Sequence, residues 1–518
     1  MKTKVAKKKP ALSKAKADYQ HLFDLSKHIH VLQGISSILS WDQETHMPQG
    51  GAEIRGLQLK TLAGLIHKER TSKAFGAALQ KLIDLKTGKT PQKGLTTSQN
   101  AALREWRRDY IHDTAIPQKF VEEFAQLTSQ SLLVWRHAKN ENAFDLFAPY
   151  LERIVDMCRR KADYLGYNDH PYDALLNMYE PDMTTRQVST LFSALLKGLK
   201  PLLKKIASSK QVDDRFLFGT WDTDKQIAFS HRLLAAMGYD MDKGRLDFSS
   251  HPFSSASHPT DSRITTRIHP TSLMSNISVI LHEAGHALYE MGLPQDLYGS
   301  PLGESRSLGV HESQSRWWET RIGLTKPFWS YFLPFLKETF KGKLDGISLH
   351  DFYRAINKVE PSYIRVEADE LTYPLHVILR FELEKALIEG SLSIHEVPEA
   401  WNAKMTEYLG ITPSTNREGC LQDIHWSMGG IGYFPTYTLG NIFAAHLFEA
   451  FAGKHPDWET RIASGEYLFI KSWLHENIYQ YGRHYSSHEL LKKATGKPFS
   501  ADAYTYYLKK KYTEIYTK

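Results

Sequence analysis

From Tyr19 onward, apolar residues recur every three or four positions in segment after segment, the spacing of amphipathic helices. The pattern predicts helices over 19–39, 52–66, 74–87, 98–138, 142–165 and 184–207, a helical layer reaching to about residue 210. A polar loop rich in Pro and Gly at 41–51 and a Gly/Lys/Thr/Pro connection at 87–97 punctuate it. The texture changes between 215 and 268. There 246–253 and 261–268 are short, β-branched or alternating, and bordered by Ser and Pro, which predicts two or three short strands. Helical spacing returns after Pro270, with Ile277, Ile280, Leu281, Ala284, Leu288 and Met291 forming a buried stripe. Thr271 or Ser272 suits the N-cap, Gly292 the C-terminal cap, and Pro294 blocks continuation. The expected architecture is mainly α with a small β-sheet near the candidate site. A basic tail over 1–16 precedes one catalytic domain over 17–518, with the active-site region at about 245–440 and C-terminal helices over about 441–518.

The helix after Pro270 carries His282, Glu283 and His286. Histidines four apart share a helix face, roughly 5 to 6 Å between Cβ atoms, and can hold one metal ion together. Two histidines and a glutamate on a buried stripe are costly without partners, and a metal ion would supply them. Zinc held by two imidazoles and one more ligand keeps a position open for water, whose proton the adjacent carboxylate can take. Glu304, Glu312 and Glu319 are the candidates for the third ligand. Glu312 is favoured, because it begins a new helical run after a loop that lets the chain return antiparallel. Glu319, two turns on, reads as a helix-surface charge, and Glu304 as a loop residue orienting the site from behind.

Composition narrows the setting. Seven of the 65 basic residues fall in the first sixteen positions, leaving 58 against 58 acidic groups in the rest. The net charge of +7 is therefore a property of the tail, read as a solvated extension, and no nucleic-acid partner is expected. No apolar run of membrane-spanning length occurs, no signal-peptide segment follows the lysines, and the two cysteines give no disulfide framework. These observations predict a cytoplasmic protein without a membrane partner.

The His282-Glu283-Ala284-Gly285-His286 motif, then 301–304 (Pro-Leu-Gly-Glu) and 311–316 (His-Glu-Ser-Gln-Ser-Arg), resemble the carboxypeptidase Taq family of zinc metallocarboxypeptidases. So do 251–253 (His-Pro-Phe), 261–265 (Asp-Ser-Arg-Ile-Thr), 364–369 (Ile-Arg-Val-Glu-Ala-Asp), 419–426 (Gly-Cys-Leu-Gln-Asp-Ile-His-Trp) and the 41–51 loop. The resemblance covers nearly the whole chain from Tyr19 and leaves out the lysine tail. It implies a helical, groove-bearing glutamate-zincin fold, a homodimer, and removal of single amino acids from peptide C-termini with broad tolerance. It also implies zinc, or cobalt or another divalent ion, on His282, His286 and Glu312, with Glu283 as general base and acid.

A guanidinium binds carboxylate in a two-pronged way, and the resemblance implies Arg365, within the 364–369 block, as the leading candidate for the substrate carboxylate. The plainer reading is a helical salt bridge from Arg365 to Asp369. Arg263 is the reserve. For the developing oxyanion, similarity to helical zinc peptidases implies His425 and Tyr433 as donors, with Tyr437 as alternate, although packed aromatics are the competing reading of both tyrosines. Asp423 is expected to orient a metal-bound histidine, and Gln422 and His251 to hold substrate backbone. An exposed strand edge at 246–268 could pair with substrate backbone in the same way. The rival activities are a helical zinc endo-oligopeptidase and an inactive peptide-binding scaffold; the intact Glu283 argues against the scaffold.

Overall fold

A computed structural model describes residues 14–90 and 94–516. The expected tail thus falls almost wholly outside the described residues, and Lys14 and Lys16 begin the first helix. The described residues group into two compact units.

The first unit holds α1 (Lys14–Thr45), α2 (Ala52–Arg70), α3 (Lys73–Gln80) and α4 (Thr97–Ala115), joined by the segments Leu293–Glu304 and Tyr481–His484. Its core gathers Leu22, Ile29, Phe75, Leu79, Leu82, Ala102, Trp106 and Leu302. The indole of Trp106 donates to Ser26 Oγ at 2.9 Å, so the hydroxyl on the buried face of α1 is satisfied. Two boundaries differ from the periodicity. α1 continues through Trp41–Thr45, because the residues before Pro48 are all compatible with a helix and Trp41 is buried. α3 stops at Gln80, since the Asp84 carboxylate accepts from the backbone of Lys86 and Thr87 and closes a turn instead.

The second unit begins with α5 (Gln118–Glu141), α6 (Phe144–Leu165), α7 (Pro171–Leu176), α8 (Thr185–Ala207) and α9 (Thr223–Met237). The predicted run over 98–138 is broken between α4 and α5 at Pro117, which holds the chain extended. Three strands follow, β1 (Leu246–Phe248), β2 (Ser254–His258) and β3 (Asp261–Thr266), in the order β1-β3-β2. β1 runs parallel to β3 with Leu246 beside Ile264, and β2 runs antiparallel to it with Ser254 beside Ile264. β2 is almost wholly polar, so hydrophobic alternation does not mark it.

Next come α10 (Leu273–Met291), α11 (Leu308–Arg316), α12 (Lys326–Thr339), α13 (Leu349–Ile356), α14 (Tyr373–Glu389), α15 (Val397–Leu409) and α16 (Pro435–Lys454). α17 (Trp458–Ala463), α18 (Leu468–Asn477), α19 (Ser487–Thr495) and α20 (Asp502–Tyr516) complete the unit. α10 has Ser272 at its N-cap and Gly292 at its C-cap, as its sequence signals predict. The sheet is tied to it by Thr266 Oγ1, 2.7 Å from Asn276 Oδ1.

α10 and α11 approach closely because α10 offers Gly285 at the crossing. A Cβ there would lie 2.5 Å from Gln314 O and 2.7 Å from Ser315 Cα. A methyl group must therefore push two backbones apart. Gly285→Ala is expected to lower stability by about 1–3 kcal/mol, the usual cost of overpacking. Gly64→Ala in α2, where nothing lies within 4 Å, is the control and should be neutral or stabilising. Denaturant unfolding of the two variants measures both.

Candidate metal centre and active site

α10 places His282 and His286 one turn apart, and α11 brings Glu312 to face them. Ligand atoms of these three residues lie within 4.8 Å of one another. Glu312 Oε2 stands 3.6 Å from His282 Nε2 and 3.4 Å from His286 Nε2. Glu312 is enclosed from the other side by α16, where Gly440 leaves no room for a side chain: a Cβ there would sit 2.6 Å from Glu312 Cγ. Two imidazole nitrogens and one carboxylate oxygen facing one point form the donor set of an open, three-ligand divalent-metal site.

Each histidine is also held from behind. His282 Nδ1 lies 2.8 Å from Glu319 Oε2, which also accepts from Arg316 Nη1 at 2.6 Å. His286 Nδ1 lies 2.6 Å from His311 Nδ1, and His311 Nε2 lies 2.7 Å from Glu290 Oε1. When the two Nε2 lone pairs face an ion, His282 donates from Nδ1 to Glu319. In the same way His286 donates to His311, which donates to Glu290. Glu319 thus differs from its reading as a helix-surface charge: it is mostly buried behind the metal site. A π-helical turn over Trp317–Ile322 carries it, and its position seven residues after Glu312 is the spacing that could have placed both on one face.

Burial and neighbouring charge separate the titrations of these groups. Burial chiefly pushes the Glu283 carboxyl up to about 7, with Glu312 and Glu319 adding to the rise and His282 opposing it. For Glu312 burial works upward, but His282 and His286 together outweigh it and hold the carboxyl at about 2. Burial chiefly lowers His286 to about 4, whereas for His282 the carboxylates overcome burial and raise it to about 9.

A second cluster surrounds Arg365. Its guanidinium is buried, donating to Asp423 Oδ1 from Nε at 3.1 Å and to the Tyr373 hydroxyl from Nη1 at 3.0 Å. Arg380 donates from Nε to the other Asp423 oxygen at 2.7 Å. Arg365 also lies over the Tyr437 ring, 4.7 Å from its centroid. His425 Nε2 is 3.1 Å from the Tyr437 hydroxyl, and the rings of His425 and Tyr433 are centred 5.2 Å apart. Burial chiefly pushes the Tyr433 phenol up, with Glu312 adding to the rise and Arg365 opposing it.

Residues 21–512 match the family described as carboxypeptidase Taq (M32) metallopeptidase. The chain belongs to this family. It is 40% identical to thermostable carboxypeptidase 1 of Thermus thermophilus, over 96% of this chain and 99% of that protein. It is 37% identical to carboxypeptidase 1 of Bacillus subtilis, over 96% and 98%. Among solved structures, the M32 carboxypeptidase of Deinococcus radiodurans R1 superposes with a TM-score of 0.93 at 36% identity, covering 97% of this chain and 100% of that one. The protein is thus a metallocarboxypeptidase whose family requires a divalent metal, and its His282, His286 and Glu312 fit one.

The remaining predicted residues of this M32 enzyme fall in varied places. Asp423 is not beside a metal-ligand histidine: it bridges Arg365 and Arg380. Gln422 is consumed within the protein, accepting from the Arg365 backbone N–H at 2.9 Å and donating to Tyr363 O at 3.0 Å. Its amide therefore positions the Arg365 turn. Arg365 lies in a short 3-10 turn, Arg365–Glu367, so the helical pairing with Asp369 does not form. Asp369 instead accepts from the backbone N–H groups of Leu371 and Thr372, closing a turn ahead of α14. Arg263 is paired with Asp261 at 2.6 Å within β3. His251 is exposed in the loop before β2. Glu304 belongs to the first unit, where it meets His30 at 2.7 Å and Arg483 at 2.6 Å. Sequence reasoning missed Arg380, Tyr373 and the His311–Glu290 pair.

Glu319→Ala removes the acceptor that fixes the His282 ring. Its affinity for zinc is expected to fall by about 10- to 100-fold, read by competition with a chromogenic chelator.

Proposed function

We propose that this enzyme is a zinc carboxypeptidase that removes single residues of many kinds from peptides with a free C-terminus, and that it works in the cytoplasm as a homodimer. The observation that carries the substrate reading is the buried charge around Arg365. Two guanidiniums, Arg365 and Arg380, share the single Asp423 carboxylate. A buried cation left without a counter-ion is costly, so this cluster favours a second anion, and a peptide's terminal carboxylate supplies one. Buried, unpaired Cys158 and Cys420 fit a reducing compartment. The homodimer rests on the family resemblance.

A divalent ion on His282, His286 and Glu312 supplies Lewis acidity at the scissile carbonyl. Glu283, ionised, takes a proton from the attacking water as its oxygen bonds to the carbonyl carbon. As the C–N bond breaks, Glu283 delivers that proton to the leaving amine nitrogen. Tyr433 donates a hydrogen bond to the oxyanion that develops on the carbonyl oxygen. His425, which burial lowers to about 3, stays neutral and donates from one ring nitrogen. Arg365 pairs with the terminal carboxylate, so cleavage falls one residue from the end. The β2 edge lies along α10 and offers backbone groups to the peptide.

The deciding experiment is mass spectrometry of one mixed-sequence peptide, free or amidated at its C-terminus, with and without chelator. A chelator-sensitive ladder from the free peptide alone is expected, and internal cleavage of the amidated peptide would overturn the reading in favour of an endopeptidase. In the same assay Arg365→Ala should lose about 10- to 100-fold in kcat/KM, the worth of a charged hydrogen bond. Glu283 must be ionised to accept a proton, and its pKa is raised, so kcat/KM should fall as pH drops through that pKa. Glu283→Gln should lose about 10²- to 10⁴-fold at every pH, measured in pH profiles of the two proteins.

A further inference from the structure

The loop that bears His425 and Tyr433 has little regular structure of its own. After a 3-10 turn over His425–Met428 it passes Gly429 and Gly432, both in the left-handed region at φ 70° and 96°. Such a glycine-rich segment has many backbone states available, and something outside it must select one. Ring contacts among His425, Tyr433 and Tyr437 do not fix the backbone.

α14 supplies the anchor. Tyr373, Arg380 and Glu384 are seven and four residues apart, so they share one helix face. Tyr373 and Arg380 serve the Arg365 cluster through its guanidinium and through Asp423. Glu384, one turn further on, is fully buried, and no step of the hydrolysis uses it. Its Oε1 accepts from the Trp426 indole at 2.9 Å, and its Oε2 from the Gly432 backbone N–H at 3.1 Å. Oε2 also accepts from the Tyr172 hydroxyl of α7 at 2.6 Å. Trp426 follows His425, and Gly432 precedes Tyr433, so one carboxylate grips the loop beside each of its two reacting side chains. Gly432 must be glycine for a second reason: a Cβ there would lie 2.8 Å from the Leu175 carbonyl carbon on α7. The loop is thus seated against α7 and tied to α14 through the same buried group.

We propose that Glu384 is a positioning residue for hydrolysis: by holding Trp426 and Gly432, it sets His425 and Tyr433 at the distance from which they donate to the reacting carbonyl. This rests on the reading of those two residues as oxyanion donors. Glu384→Gln tests it, because an amide NH2 must then face at least one of the three donors that the carboxylate accepts.

The measurements use the zinc-loaded, full-length enzyme. Amide exchange of the peptide spanning 424–434 should quicken by about 10-fold, the effect of one lost buried hydrogen bond. kcat on a short peptide should fall by about 10- to 100-fold with KM nearly unchanged, as expected for misplaced catalytic groups. Zinc affinity by chelator competition should not move. In a Tyr433→Phe background the same substitution should cost much less, because its effect passes through the loop. Trp426→Phe, which removes one donor and keeps the carboxylate, should give a smaller version of the pattern and serves if Glu384→Gln fails to fold.

Unchanged exchange, a full additive loss in the Tyr433→Phe background, or a parallel fall in zinc affinity would overturn the proposal. Wild-type kcat in both Tyr433→Phe and His425→Ala would sink the oxyanion reading itself. Wild-type kcat in Glu384→Gln beside an impaired Tyr433→Phe would overturn only the positioning role.

Discussion

The active site depends on how closely three helices approach at two glycines. Gly285 lets α11 lie against α10, and Gly440 lets α16 close over Glu312. Backbone distance therefore sets ligand distance. Glu312 cannot swing away, because α16 occupies the space behind it, and it is further held by the Ser315 hydroxyl at 2.9 Å. Larger residues at either glycine would move a helix axis, and with it a ligand.

Around that contact the protein buries more charge than a hydrophobic core tolerates without pairing. Most of these charged groups are paired. Glu319 stands between His282 and Arg316, and Arg316 Nε reaches Asn441 Oδ1 on α16 at 2.9 Å. Glu290 lies behind His311, and Asp423 between Arg365 and Arg380. Two clusters among the described residues carry two cations to one anion: Arg365 and Arg380 on Asp423, and Arg321 and Lys511 on Glu370. A surplus charge of this kind is a poor choice for stability unless a further anion joins it.

The metal helix was legible because its signals agree: apolar stripe, Ser N-cap, terminal glycine and a histidine pair at four-residue spacing all describe Leu273–Met291. Glu312 followed from the return of the next helix. What escaped was what only folding juxtaposes. Glu319 looks like a surface charge in one dimension, since its sequence neighbours do not reveal that α10 covers it. Asp423 reads in sequence as a residue orienting a metal-bound histidine, yet its partners Arg365 and Arg380 come from other parts of the chain. β2 escaped for a different reason, because Ser254–His258 is polar on both faces and its pairing with β3 is a matter of backbone. At the ends of helices, local turn chemistry at Asp84 and Pro117 overrode a periodicity that read straight through.

The enclosure of Glu312 between α11 and α16 also bears on selectivity among ions. Calcium takes six to eight oxygen ligands at adjustable distances, and such a shell needs donors that can move apart. Here two imidazole nitrogens and one carboxylate oxygen are fixed by helix contacts, with the imidazoles steered from behind by Glu319 and His311. Such a cage suits a small ion that binds nitrogen readily and accepts low coordination. The spacing of the metal-facing donors is thus set by the two glycines as much as by the ligands themselves.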